Sequence, residues 1–109
     1  MVMSYAQRHV DAFNEAVRTG GWNSFADRFA KDAVLEFVGP PIGPFIGRAA
    51  ILDAYLTNPP DDTMEISGPV ELNGAELVVP YRWKTTGATG TMVIALRSDE
   101  VAHLTVIFE

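Results

Sequence analysis

Apolar residues near the start of the chain recur at helical spacing. Ala6, Val10, Phe13 and Val17 lie three or four positions apart, with Asp11, Glu15 and Arg18 on the far side. The pattern predicts an amphipathic helix from an N-cap at Ser4 to about Thr19. Gly20-Gly21 ends it, because glycine tolerates the left-handed geometry of a helix stop. A second short helix is expected over Trp22 to Phe29, turning Trp22, Phe25, Ala26 and Phe29 inward. Helices this short need a surface to pack on.

That surface is predicted to begin at Ala33. AVLEFV is rich in β-formers, with Leu35 and Phe37 on one face and Val34, Glu36 and Val38 on the other. GPPIGPFIG then reads as a corner with at most a short edge strand, since proline removes backbone donors. It lacks the glycine spacing of a phosphate-binding loop. A third helix runs from Arg48 to about Thr57, with Ile51, Leu52 and Tyr55 inside, and Asn58-Pro59-Pro60 stops it.

From Asp62 onward the period is two. Met64, Ile66, Val70 and Leu72 form one face of a strand broken at Gly68-Pro69, and Asn73-Gly74 is a strong hairpin signal. The strand over Glu76 to Thr85 places Leu77, Val79, Tyr81 and Trp83 together. Met92, Ile94 and Leu96 follow on the next strand, then Leu104, Val106 and Phe108 on the last, after a turn at Ser98-Asp99-Glu100. The order of helices, strand, helix and four strands predicts one α+β domain over residues 1–109, with a largely antiparallel sheet.

Composition narrows the function. Eight Lys and Arg against 14 Asp and Glu give a net charge of −6, which argues against nucleic acid and against an anionic membrane surface. Without cysteine there are no disulfides and no thiolate metal ligands. The two histidines are far apart and lack a carboxylate partner at ligand spacing, so no metal is expected. The stretch MVMSYAQRHV lacks the apolar core of a signal peptide, and no run approaches 18 apolar residues, which together predict a cytoplasmic protein.

Three segments, QRHVDAFNEAV, FADRFAKDAVLEF and PFIGRAAILDAY, resemble the NTF2-like superfamily in its SnoaL-like and ketosteroid isomerase-like branch. The resemblance spans nearly the whole chain. It implies a cone, in which a strongly curved, mostly antiparallel sheet packs against the three helices and leaves an apolar pocket at the wide end. It also implies a homodimer through the outer sheet face. Ketosteroid isomerase uses an aspartate base, with a tyrosine and a neutral aspartate donating to the enolate oxygen. Aligned on the resemblance, the first-helix tyrosine falls on His9, the base on Phe37 and the second aspartate at or near Ile94. The supporting tyrosine of the third helix is retained as Tyr55. Without a base, proton abstraction beside a carbonyl has no acceptor, so the usual isomerase chemistry is not expected.

His9 is expected inside the cone beside Tyr55, either as a general base or donor or as a buried histidine satisfied by Tyr55 or a backbone carbonyl. Tyr55 is either an oxyanion donor or a packed tyrosine with one hydrogen bond. The expected ligand walls are Phe13 and Phe37, then Tyr81 and Trp83, then Ile94, and finally Leu104, Val106 and Phe108. Glu36 is expected to pair with Arg48 or water, His103 to lie on the outer face, and Asp61, Asp62 and Asp99 to be solvated. Two functions follow. One is a cofactor-free acid–base isomerase or cyclase acting on a small apolar, carbonyl-bearing molecule through His9 and Tyr55. The other is a non-catalytic ligand-binding or dimerisation module.

Overall fold

A computed structural model describes residues 4–109. Residues 1–3, part of the stretch read above for a leader, lie outside the described residues. Helix α1 (Tyr5–Thr19) buries Tyr5, Ala6, His9, Val10 and Phe13, the face set by its three-and-four spacing. Ser4 occupies the N-cap position but its side chain makes no capping bond. At the other end Gly20 takes φ +78°, and its N–H donates to the Ala16 carbonyl at 2.7 Å.

Helix α2 is shorter than expected, Trp22–Ala26, and strand β1 begins correspondingly earlier, running Phe29–Val38. Long-range partners draw Phe29 into the sheet. The Arg28 carbonyl accepts the Val101 N–H at 2.9 Å, and the Phe29 carbonyl accepts Nε of Arg48 at 2.9 Å. Neither partner is visible in a local window. The Gly/Pro corner forms the two-residue strand β2 (Phe45–Ile46) against β1, and α3 (Arg48–Thr57) follows.

The remaining strands are β3 (Met64–Ile66), β4 (Glu71–Asn73), β5 (Glu76–Trp83), β6 (Thr89–Arg97) and β7 (Glu100–Phe108). The described residues build an α+β fold on a seven-stranded mixed sheet ordered β2-β1-β7-β6-β5-β3, with β4 also on β5. Among the described residues only the β1–β7 pairing is parallel, with Leu35 opposite Leu104. The segment Met64 to Leu72, expected as one interrupted strand, is two, and Leu72 is exposed rather than inward. The hairpin turn also sits one residue later than expected: Asn73 pairs with Glu76, leaving Gly74-Ala75 as the loop.

One sheet face is the core. Leu35, Leu77, Val79, Tyr81, Ile94 and Leu104 are at most 1% exposed. The register slips between Ala95 and Leu96 against β7, so Val101 and Leu104 both point inward although they are an odd number of residues apart. Tyr81 lies across Gly90, where an added Cβ would fall 2.3 Å from the Ile107 carbonyl oxygen and 2.4 Å from the tyrosine hydroxyl. No other residue fits there without displacing the strand. Helix α1 is fastened to the edge strand by Asn14, which is buried. Its Nδ2 donates to the Met64 carbonyl at 2.8 Å, and its Oδ1 accepts the Met64 N–H at 2.9 Å. A side-chain amide thus continues the ladder where the sheet stops.

Candidate functional site

Between the helices and the inner sheet face lies a cavity of about 590 Å³, within the range of small-molecule sites. Helix α1 supplies His9 and Phe13, one turn apart on its buried face. Helix α3 supplies Asp53 and Tyr55, β1 supplies Leu35 and Phe37, and β7 supplies Leu104, Val106 and Phe108. Trp83 comes from the end of β5.

Aromatic side chains define its closed end. The Trp22 and Tyr55 rings stack at 4.7 Å and are nearly parallel, and Phe25 stands edge-on to Tyr55 at 5.4 Å. His9 packs on Phe25 at 5.3 Å between centroids. Such arrangements match the quadrupoles of the rings. At the open end Phe108 lies 6.3 Å from both Phe37 and Trp83, and Phe37 meets Phe45 edge-on. The three side chains expected to converge from β1, β5 and β7 are therefore neighbours.

His9 is 1% exposed, and its Nδ1 is buried with no hydrogen-bond partner among the described residues. It is not satisfied by Tyr55 or by a backbone carbonyl, as the sequence suggested. Burial, assisted by the positive charge of Arg28, lowers its pKa to about 3. It is uncharged at neutral pH, with one N–H and one lone pair. Burial likewise raises the Tyr55 phenol, whose hydroxyl makes no hydrogen bond among the described residues. Neither group exchanges a proton readily near neutrality, but both can form hydrogen bonds.

Two of the expected wall residues are elsewhere. Tyr81 and Ile94 share the inner face but do not line the cavity. The Tyr81 hydroxyl donates to the Ile107 carbonyl at 3.0 Å, with its ring over Gly90. Ile94 is sealed between Leu77 and Leu104 in the sheet register. Alternation gives the face of a strand and not the position along the cavity.

Several lining residues were not anticipated. Ile42 and Phe45 come from the Gly/Pro corner, where large apolar residues among the prolines were the available signal. Asp61, exposed as expected, and the partly buried Asp62 also line the opening. Asp62 also accepts the Thr85 hydroxyl at 2.8 Å and the Thr85 N–H at 3.2 Å, which ties the segment after α3 to the end of β5.

Glu36 pairs with His103 across the parallel seam, not with Arg48. Arg48 turns to Glu100 and the Phe29 carbonyl instead. Arg97 pairs with Asp32, away from the cavity. Among the described residues, no group of three or more His, Asp or Glu side chains could hold a metal ion, and no helix is long and apolar enough to cross a membrane.

The fold has many relatives among solved structures. An NTF-2 like protein of unknown function from Burkholderia xenovorans superposes with TM-score 0.70 at 17% identity, over 94% of this chain and 81% of that one. A proposed ketosteroid isomerase from Kribbella flavida gives TM-score 0.69 at 17% identity, over 94% and 78%. A proposed polyketide cyclase from Sinorhizobium meliloti gives 0.67 at 18%, over 91% and 93%. At such identities the likeness speaks for the fold alone. A search of curated proteins finds no match. Residues 10–107 match the SnoaL-like domain, so that nearly every element described above falls within the match, and the chain belongs to the SnoaL-like family.

Proposed function

We propose that the cavity receives a small, largely apolar, carbonyl-bearing molecule whose polar group is met by His9 and Tyr55. The supporting observation is the pair of uncharged hydrogen-bonding side chains without protein partners among the described residues, at the buried end of a cavity whose inner walls are apolar. An unpaired polar group in such surroundings is costly, and a ligand that pairs it recovers that cost. Phe13, Phe37, Trp83, Leu104, Val106 and Phe108 supply the apolar contact.

Catalysis on the same ligand, as a cofactor-independent isomerase or cyclase, is the second reading. It draws on the likeness to the proteins proposed as ketosteroid isomerase and polyketide cyclase. The aromatic residue at Phe37 and the sealed Ile94 weigh against the two-aspartate mechanism, as does the low basicity of His9. We also take the protein to be a homodimer through the outer sheet face, where Val78, Val93 and Ile107 remain partly exposed. Sedimentation showing a monomer at micromolar concentration would remove that assignment.

The test compares a bicyclic ketone, 2-decalone, with its hydrocarbon, decalin, by shift in melting temperature. The ketone should bind roughly fivefold more tightly, the worth of one buried neutral hydrogen bond. Replacing His9→Leu together with Tyr55→Phe should abolish the preference while retaining hydrocarbon binding. Equal binding of both probes by the native protein would refute the polar anchor. Turnover of a Δ5-3-ketosteroid that is lost in His9→Ala would establish the catalytic reading in its place.

A further inference from the structure

Charge is distributed unevenly around the cavity. Its lining includes three aspartates, Asp53, Asp61 and Asp62, and no lysine or arginine. Asp53 and Asp61 are exposed side chains of a cavity whose other end is buried, so they stand at its opening. Neither forms an ion pair among the described residues, where the arginines in such pairs are committed elsewhere, to Glu15, Glu100, Glu65 and Asp32. Lys84 belongs neither to the lining nor to any of these pairs. The opening therefore carries an uncompensated negative potential above low-dielectric walls, a geometry that focuses the field on an entering charge.

The buried end differs. His9, 1% exposed and uncharged, belongs to the lining there, and its Nδ1 has no hydrogen-bond partner among the described residues. Between the two ends Phe13, Phe37, Leu104 and Val106 offer only apolar surface. Read from inside outward, the cavity specifies an uncharged hydrogen-bonding group, an apolar body and a positive charge.

We propose that the cavity selects amphiphilic amines over carboxylic acids of the same skeleton, with Asp53 and Asp61 as the specificity-determining residues at its opening. The proposal rests on the reading of the cavity as a ligand site and names the class of ligand. For an assumed separation of about 7 Å, a ligand ammonium group gains roughly threefold in affinity per aspartate in water, and a ligand carboxylate loses a similar factor. The contribution is electrostatic, so salt must weaken it.

The experiment measures binding of decylamine, 1-decanol and decanoate below their micellar concentrations, by calorimetry at pH 7 in about 20 mM salt and again in about 0.5 M. The expected order is amine, alcohol, acid, with roughly twentyfold between the extremes at low salt, where screening trims the bare Coulomb factors, and less than half of that at high salt. Asp53→Asn/Asp61→Asn should bring amine and acid within roughly threefold of each other. Glu71→Gln/Glu76→Gln removes the same net charge at the far end of β5, and should preserve the order. Asp62 is left intact because it holds Thr85.

Equal binding of the three probes, or tighter binding of decanoate, would overturn the charge selection and leave the cavity as a ligand site. An order that collapses equally in both double variants would overturn it too, by tracing the preference to net charge. Failure of all three probes to bind would overturn the ligand-site reading itself, and the selection with it.

Discussion

The two ends of the cavity are built from the same kind of residue and differ in what surrounds them. At the closed end Phe25 is 2% exposed and touches the rings of His9, Phe13, Trp22, Phe29 and Tyr55. At the open end Phe108 is 40% exposed and is flanked by Phe37 and Trp83. One aromatic cluster is a core, where each ring is held on every side. The other is a wall, where Phe37, Trp83 and Phe108 pack on neighbouring rings and also line the cavity. Aromatic content alone does not separate the two roles; the number of sides covered does.

The largest effect should come from breaking the core. Phe25→Ala removes a ring with five ring neighbours, and should cost about 4 kcal/mol in denaturant unfolding. A loss below about 1 kcal/mol would mean that the closed end is as loosely held as the open one. The next effect is a pH slope. The folded pKa of His9 is depressed to about 3 from an ordinary value near 6.5. Below pH 6.5 the unfolded chain therefore takes up a proton that the folded protein refuses, so this group makes stability fall as pH falls towards 3. The slope approaches about 1.4 kcal/mol per pH unit, and urea titrations of the native protein and His9→Gln at pH 4.5 and 7 should differ by that slope. Identical pH dependence would place His9 in contact with water. The smallest effect belongs to the wall: Phe108→Ala should cost under about 1 kcal/mol, whereas its loss of contact should weaken decalone binding measurably.

The same contrast marks what the amino-acid sequence discloses. Helix α1 and helix α3 were legible because their inner faces follow a fixed spacing and their ends carry glycine or proline. The inner sheet face was legible because Leu35, Leu77, Ile94 and Leu104 alternate with polar or smaller residues. The start of β1 was not, since it depends on bonds from Arg48 and Val101, far along the chain. Nor was the depth of each side chain in the cavity: Tyr81 and Trp83 alternate identically, yet one seals Gly90 and the other faces the void. The role of Asp61 and Asp62 was hidden for a related reason. Nothing in a turn-like Asn-Pro-Pro-Asp-Asp segment reveals that Thr85, in the turn after β5, will hold it over the opening.

The parallel seam between β1 and β7 joins chain segments that are made far apart in time. Strands β5, β6 and β7 can zip as successive hairpins, but β1 must wait through the synthesis of all of them before Leu35 finds Leu104. Loop closure over so long a separation is slow relative to hairpin formation. During translation the edge of β1 that will meet β7 therefore stays open, with β2 alone beside the strand, and the nascent protein is at its most adhesive just before the seam is sewn.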